Sequence, residues 1–216
     1  IIGAHRSNLG DTDAGASYVV FGQEDGTPVE LSNLGALGTP GFIIIGGAAD
    51  DNAGLSVSGA GDVNGDGFDD LIIGAPVASP NGTWSGSSYV IYGKNDTNTV
   101  DISVIATDGD TDGFAIDGMT SGDFVGQSVS DAGDVNGDGY DDFIIGAYQA
   151  DPNEPNAGAS YVVYGRPDVA GDKIGTSIDL TQIDADIGGF AINGALEDDQ
   201  AGFSVSGAGD VNGDGY

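Results

Sequence analysis

Cysteine is absent from this 216-residue chain and cations are nearly so, with 4 Lys and Arg against 35 Asp and Glu for a formal charge of −31. Without cysteine there are no disulfides and no thiolate chemistry, so cysteine usage does not fix the compartment. The charge excludes nucleic acid and anionic membrane surfaces as partners, because their fixed charge repels a surface of the same sign. The single histidine, His5, has no partner at motif spacing and reads as a loop residue. Neither a Gly-x-Ser-x-Gly elbow nor a Gly-x-x-x-x-Gly-Lys-[Ser/Thr] string occurs, so the common nucleophilic and phosphate-handling sites are missing. No apolar stretch is long enough to span a bilayer, which argues against membrane insertion. No signal peptide opens the chain, so any targeting segment is expected to be removed or to lie outside it.

Gly and Asp, by contrast, are abundant and ordered. Gly-Asp-Val-Asn-Gly-Asp-Gly-[Phe/Tyr] recurs at 61–68, 133–140 and 209–216. In the first copy Asp62, Asn64 and Asp66 place side-chain oxygens at alternate positions, Gly67 permits a sharp turn, Phe68 offers a backbone carbonyl and Asp70 closes the shell. That is the donor set of a hard, oxygen-seeking cation, and the expected cofactor is Ca²⁺. The second copy repeats it with Asp134, Asn136, Asp138, the Tyr140 carbonyl and Asp142. The third supplies Asp210, Asn212, Asp214 and the Tyr216 carbonyl, without a carboxylate at position nine.

An EF-hand or dockerin-type loop begins similarly but needs a bidentate carboxylate at position twelve and flanking helices. Position twelve here is Ile73 or Ile145. Each of the first two loops runs into a short β-branched stretch, Leu71 to Ala75 or Phe143 to Ala147, which reads as a buried strand. The loop therefore joins two strands. A metal-free Asp/Asn/Gly turn would account for one such loop, but not for three near-identical copies with alternating oxygens. Reading Asp69-Asp70 or Asp141-Asp142 as a general acid/base pair is disfavoured, since the loops already account for them.

The whole chain is periodic. Tyr18, Tyr89 and Tyr161 are spaced by 71 and 72 residues, and Phe42, Phe114 and Phe190 by 72 and 76. Each unit contains Ile-Ile-Gly-Ala, Gly-x-Ser-Tyr-Val, Gly-Phe-x-Ile and Gly-x-Ser-Val-Ser, which predicts four short strands per unit with no useful helical period. The implied fold is all-β: β-propeller blades of four antiparallel strands, three blade-equivalents in this chain, with units of approximately 1–70, 71–142 and 143–216. The six rings are expected to be buried between blades. Three blades are too few for closure, since propellers typically have about four to eight. The region is therefore expected to continue into further blades or to associate head to tail.

On these motifs the chain resembles FG-GAP repeats, the blades of the integrin α-subunit propeller and of many bacterial surface proteins. The specific elements are Asp-x-Asn-x-Asp-Gly-x-x-Asp followed by an apolar Ile-Gly-Ala at Asp62 to Ala75 and Asp134 to Ala147. The resemblance implies a calcium loop between the first two strands of a blade, on the lower face, with ligands bound by loops of the opposite face. It implies a non-enzymatic, extracellular or cell-surface module whose partner is a protein or glycan, and millimolar external calcium suits such loops. The alternative is the accessory propeller domain of a secreted hydrolase or lyase. Asn81-Gly82-Thr83 and Asn95-Asp96-Thr97 fit the glycosylation pattern. Position three is Asn in every copy, which lowers the loop charge.

Trp84 has no copy at the equivalent place in the other units. In a polar loop, a unique indole either stacks on a ligand such as a sugar ring or caps the adjacent loop.

Overall fold

The computed structural model describes residues 1–24, 26–35, 39–108, 112–167, 177–180, 183 and 188–215. In the second and third sheets the four repeated motifs form the strands, and the Gly-x-Ser-Val-Ser strand pairs with the Ile-Ile-Gly-Ala-type strand that follows its loop. The second sheet comprises β4 (Ser56–Gly61), β5 (Asp70–Ala75), β6 (Ser87–Ile91) and β8 (Gly113–Asp117); the third comprises β9 (Ser128–Gly133), β10 (Asp142–Ala147), β11 (Ala159–Val163) and β13 (Gly189–Asn193). Both are antiparallel meanders. The first sheet holds β1 (Ile2–Ala4), β2 (Ala16–Val20) and β3 (Gly41–Ile45). Register repeats between units: Val19 faces Phe42, Val90 faces Phe114 and Val162 faces Phe190.

Period-two alternation sends neighbouring side chains of the central sheet into different interfaces. Ile73, Tyr89, Ile91 and Ala115 pack with Phe42 and Ile44 of the first sheet. Ile72, Val90, Phe114 and Ile116 pack with Val129, Phe143 and Ile145 of the third. A sheet buried on both faces between two others is the packing of propeller blades. Of the six rings, Phe42, Phe114 and Tyr89 are buried, Tyr161 packs against the core shared with the second sheet, and Tyr18, expected to be buried, is half-buried. Phe190, expected to be buried, is 41% exposed. Its register matches Phe114, so the repeat alignment stands; no described sheet covers that outer face.

The glycine of Ile-Ile-Gly-Ala is explained by a close approach between blades. A Cβ on Gly3, Gly74 or Gly146 would collide with the carbonyl oxygen of Gly54, Gly126 or Gly202, the entry to the next inner strand. That entry is tied down by Ser56 Oγ donating to the Gly126 carbonyl at 2.8 Å and Ser128 Oγ to the Gly202 carbonyl at 2.9 Å. Gly74→Ala is therefore expected to destabilise by about 1–3 kcal/mol through overpacking, read as a lower urea midpoint. An unchanged midpoint would mean that the blades are not held this closely.

Three elements depart from the sequence expectation. β7 (Val100–Asp101) and β12 (Ser177–Asp179) lie in the chain between the third and fourth strands of the second and third sheets but pair in parallel with β3 and β8 of the preceding sheet. The short helix α1 (Ile102–Asp108) follows β7, with Ile102 and Ile105 buried. The signal for this latch was present as Val29-Glu30-Leu31-Ser32-Asn33-Leu34, Val100-Asp101-Ile102-Ser103-Val104-Ile105 and Ile178-Asp179-Leu180-Thr181-Gln182-Ile183. Residues 202–206, a Gly-x-Ser-Val-Ser copy expected as a strand, are not in one. β4 and β9 are held by the strand beyond their loop, and 202–206 have no such partner among the described residues.

Candidate functional site

The Asp-rich loops connect β4 to β5 and β9 to β10 at one end of the sheets, as their sequence predicted. In the first loop Asp62 Oδ1 accepts the N–H groups of Gly65 and Asp66 at 2.8 and 3.0 Å, and Oδ2 accepts Gly67 N–H at 3.0 Å. Asn64 Oδ1 accepts Asp66 N–H at 2.8 Å, and Asp66 Oδ1 accepts Phe68 N–H at 2.9 Å. The second loop reproduces this set around Asp134, Asn136, Asp138 and Tyr140. The third does so around Asp210, Asn212 and Asp214; Tyr216 lies outside the described residues. Gly65 and Gly67 have φ of 76° and 91°, where a Cβ is disfavoured and glycine is at ease.

The Asn at position three has a specific role. Its Nδ2 donates to Asp66 Oδ2 at 3.0 Å, to Asp138 Oδ2 at 2.9 Å and to Asp214 Oδ2 at 2.7 Å in the three loops. A carboxylate there would set two negative groups in contact.

Position nine is buried. Asp70 Oδ2 accepts Val63 N–H at 3.0 Å and Oδ1 accepts Gly93 N–H at 2.8 Å, and Asp142 bonds Val135 and Gly165 in the same way. It therefore also pins the loop to the end of the next strand, a role its spacing did not disclose. Burial, reinforced by the charges of Asp66 and Asp62 and opposed by those two N–H groups, pushes Asp70 up to about 7. The same causes push Asp142 up to about 6. In the exposed third loop, the N–H of Gly215 foremost holds Asp210 below the usual carboxylate range.

The donor chemistry fits a hard divalent cation, since every candidate group is an oxygen and the ionised carboxylates keep lone pairs beyond those used by the N–H groups. Among the described residues, no group of three or more carboxylates converges into a ready coordination shell.

Trp84 lies in the loop after β5. It is thus separated from the Asp-rich loop by a six-residue strand, roughly 20 Å. Trp84 is 51% exposed and stacks on Phe124, with ring centroids 5.8 Å apart and 29° between planes. The indole covers the neighbouring loop and leaves about half of its surface exposed. Tyr148 and Phe203 continue the row at 5.5 and 5.4 Å. Trp84 and Phe124 have φ of 56° and 55°. The matching pairs in the other units are Asp13 with Asn52 and Asn156 with Gln200, joined by the same backbone bond of about 3.2 Å. Asp and Asn tolerate this left-handed region, whereas bulky aromatics are strained there. Sequence reading isolated Trp84 but missed Phe124, because their pairing rests on a backbone conformation. Beside the indole is a cavity of about 490 Å³ lined by Asp50, Asp51, Ser87, Tyr89 and Asp117. Burial raises the pKa of Asp51 and Asp117.

Radially packed four-strand sheets with Asp-rich loops at one end define a repeat module of the β-propeller class. The FG-GAP repeat family model matches residues 53–91 and 126–163. Integrin alpha-PS2 of Drosophila melanogaster is 32% identical over 161 residues, covering 72% of this chain and 10% of that protein. Integrin alpha pat-2 of Caenorhabditis briggsae is 33% identical over 143 residues, 64% of this chain and 12% of that protein. Phosphatidylinositol-glycan-specific phospholipase D of Dictyostelium discoideum is 36% identical over 109 residues, 47% of this chain and 11% of that protein. The chain carries FG-GAP repeats and is similar to integrin α subunits over most of its length. It spans about a tenth of the length of these relatives. No helix among the described residues is long and apolar enough to cross a membrane.

Proposed function

We propose that this chain is a non-enzymatic, calcium-stabilised part of an extracellular propeller that serves adhesion, ligand binding or surface assembly. The observation that carries this reading is the oxygen-lined loop, folded alike in three copies, two of which join the first two strands of a sheet. Asp62, Asn64, Asp66, the Phe68 carbonyl and Asp70 hold the first ion. Asp134, Asn136, Asp138, the Tyr140 carbonyl and Asp142 hold the second. Asp210, Asn212, Asp214 and the Tyr216 carbonyl belong to the third. A bound cation would supply positive charge beside the loop carboxylates, which the loop N–H groups orient. The kinship with integrin α subunits supports a place at the cell surface and a protein or glycan partner.

The repeat units 1–70, 71–142 and 143–216 belong, in this reading, to a larger or multi-chain propeller, by continuation or by head-to-tail self-association. The outer edge of β13 supports it, since the corresponding edges of β3 and β8 each receive a parallel strand from the next unit.

Trp84 is the proposed ligand contact, at the end of the sheets opposite the metal loops. Arrays of neutral glycans and of matrix proteins, probed with wild type and Trp84→Asn, test this. Asn occurs at the equivalent left-handed position, Asn156, so the variant keeps the backbone. Binding is expected to fall at least about fivefold, since an aromatic stacking contact is worth roughly 1 kcal/mol. Unchanged binding would remove Trp84 from the site. The match to a phospholipase D favours a second reading, the accessory propeller of a secreted hydrolase. Binding only to the catalytic domain of such an enzyme, and to nothing on the arrays, would favour it.

A further inference from the structure

We propose that Asp141, at position eight of the second loop, is a positioning residue for the first loop and raises the calcium affinity of that neighbouring site. The inference rests on the calcium reading above. Position eight lies between two proposed ligands and is not one itself. Its carboxylate instead crosses to the adjacent blade, where Asp141 Oδ2 accepts the Asp62 N–H at 2.8 Å. The Asp141 N–H returns a bond to the Asp62 carbonyl at 3.3 Å. Asp62 is the residue whose carboxylate gathers three N–H groups of the first loop, so a reciprocal clamp on its backbone fixes where that carboxylate points.

Two further contacts join the loops. A Cβ on Gly65 would collide with the Tyr140 ring, and one on Gly61 would collide with the Asp141 carboxylate. Gly165 N–H donates to Asp142 at 2.8 Å, and the next residue, Arg166, donates its N–H to the Val63 carbonyl at 2.8 Å. Val63 N–H in turn bonds Asp70. The position-nine carboxylates of the two loops are thus linked by a continuous run of backbone bonds across the blade interface. Partners behind metal ligands orient them, and their loss costs affinity even though they never touch the ion. Asp69, at the same position of the first loop, is exposed and provides the control.

The test is a calcium titration of the full chain followed by amide NMR, with Gly65 and Gly67 reporting the first loop and Gly137 and Gly139 the second. In Asp141→Ala the first-loop midpoint is expected to rise about tenfold, the lower end of what losing such a partner costs, while the second-loop midpoint holds. Asp141→Asn, which retains an acceptor, should recover most of the loss, and Asp69→Ala should move neither loop. In wild type, the Asp62 amide should exchange with solvent more slowly than the Asp134 amide, which has no carboxylate partner among the described residues. This measurement needs no variant to fold. An unmoved first-loop midpoint in Asp141→Ala, equal movement of both loops, or equal exchange at Asp62 and Asp134 would overturn the positioning role alone. Absence of any calcium response in wild type would overturn the calcium reading and this one with it.

Discussion

Chelation of calcium is expected to lower the melting temperature of this chain by roughly 10–20 °C, and added calcium to restore it. A ligand that binds only the native state stabilises by about 2.7 kcal/mol per site at a hundredfold excess over its Kd, so two complete loops contribute about 5 kcal/mol. For a domain of this size each kcal/mol moves the midpoint by roughly 2–4 °C. The effect is expected to be large because each loop ties the first strand of a sheet to the second, and Asp70 and Asp142 sit fully buried at the junction. Asp66→Ala and Asp138→Ala should each reproduce about half of the shift, since each removes a carboxylate from one loop. Differential scanning calorimetry with and without chelator measures it; a curve unchanged after verified removal of the metal refutes the structural role of calcium.

Phe114→Ala is expected to cost about 3–5 kcal/mol, the range for emptying a buried aromatic site. Phe114 is 1% exposed and lies 6.1 Å from the Tyr92 ring and 6.3 Å from the Phe143 ring, so its loss opens a void between the second and third sheets. Phe190→Ala, at the same register but on an uncovered face, should cost about 1–2 kcal/mol, because 41% of the residue already meets solvent in the native state. Urea unfolding of the two variants side by side reads the difference. Equal losses would mean that burial between blades is not what makes the repeated phenylalanine important.

Much of this architecture was legible without coordinates because it is local and repeated. Ile-Ile-Gly-Ala, Gly-x-Ser-Tyr-Val and Gly-Phe-x-Ile became strands where their period-two patterns placed them, and Asp62 to Asp70 folded as a closed turn because the bonds within the loop run between residues at most seven apart. The latch β7 and β12 escaped notice although its apolar spacing repeats. A strand of two or three residues carries little periodicity, and its partner lies in another unit. The pairing of Trp84 with Phe124 escaped for the same reason, since 40 residues separate them and only the blade's loop geometry brings them together.

The repeat, the strand order within a unit and the oxygen donors of the loops were all present in the order of the residues, because each depends on neighbours close along the chain. Packing between sheets settled which rings are covered, which glycines admit no side chain, and that Asp141 clamps Asp62 while Asp69 faces solvent. Identical motifs take different environments according to whether another sheet lies against them. That is a property of the stack of blades, and no single repeat carries it.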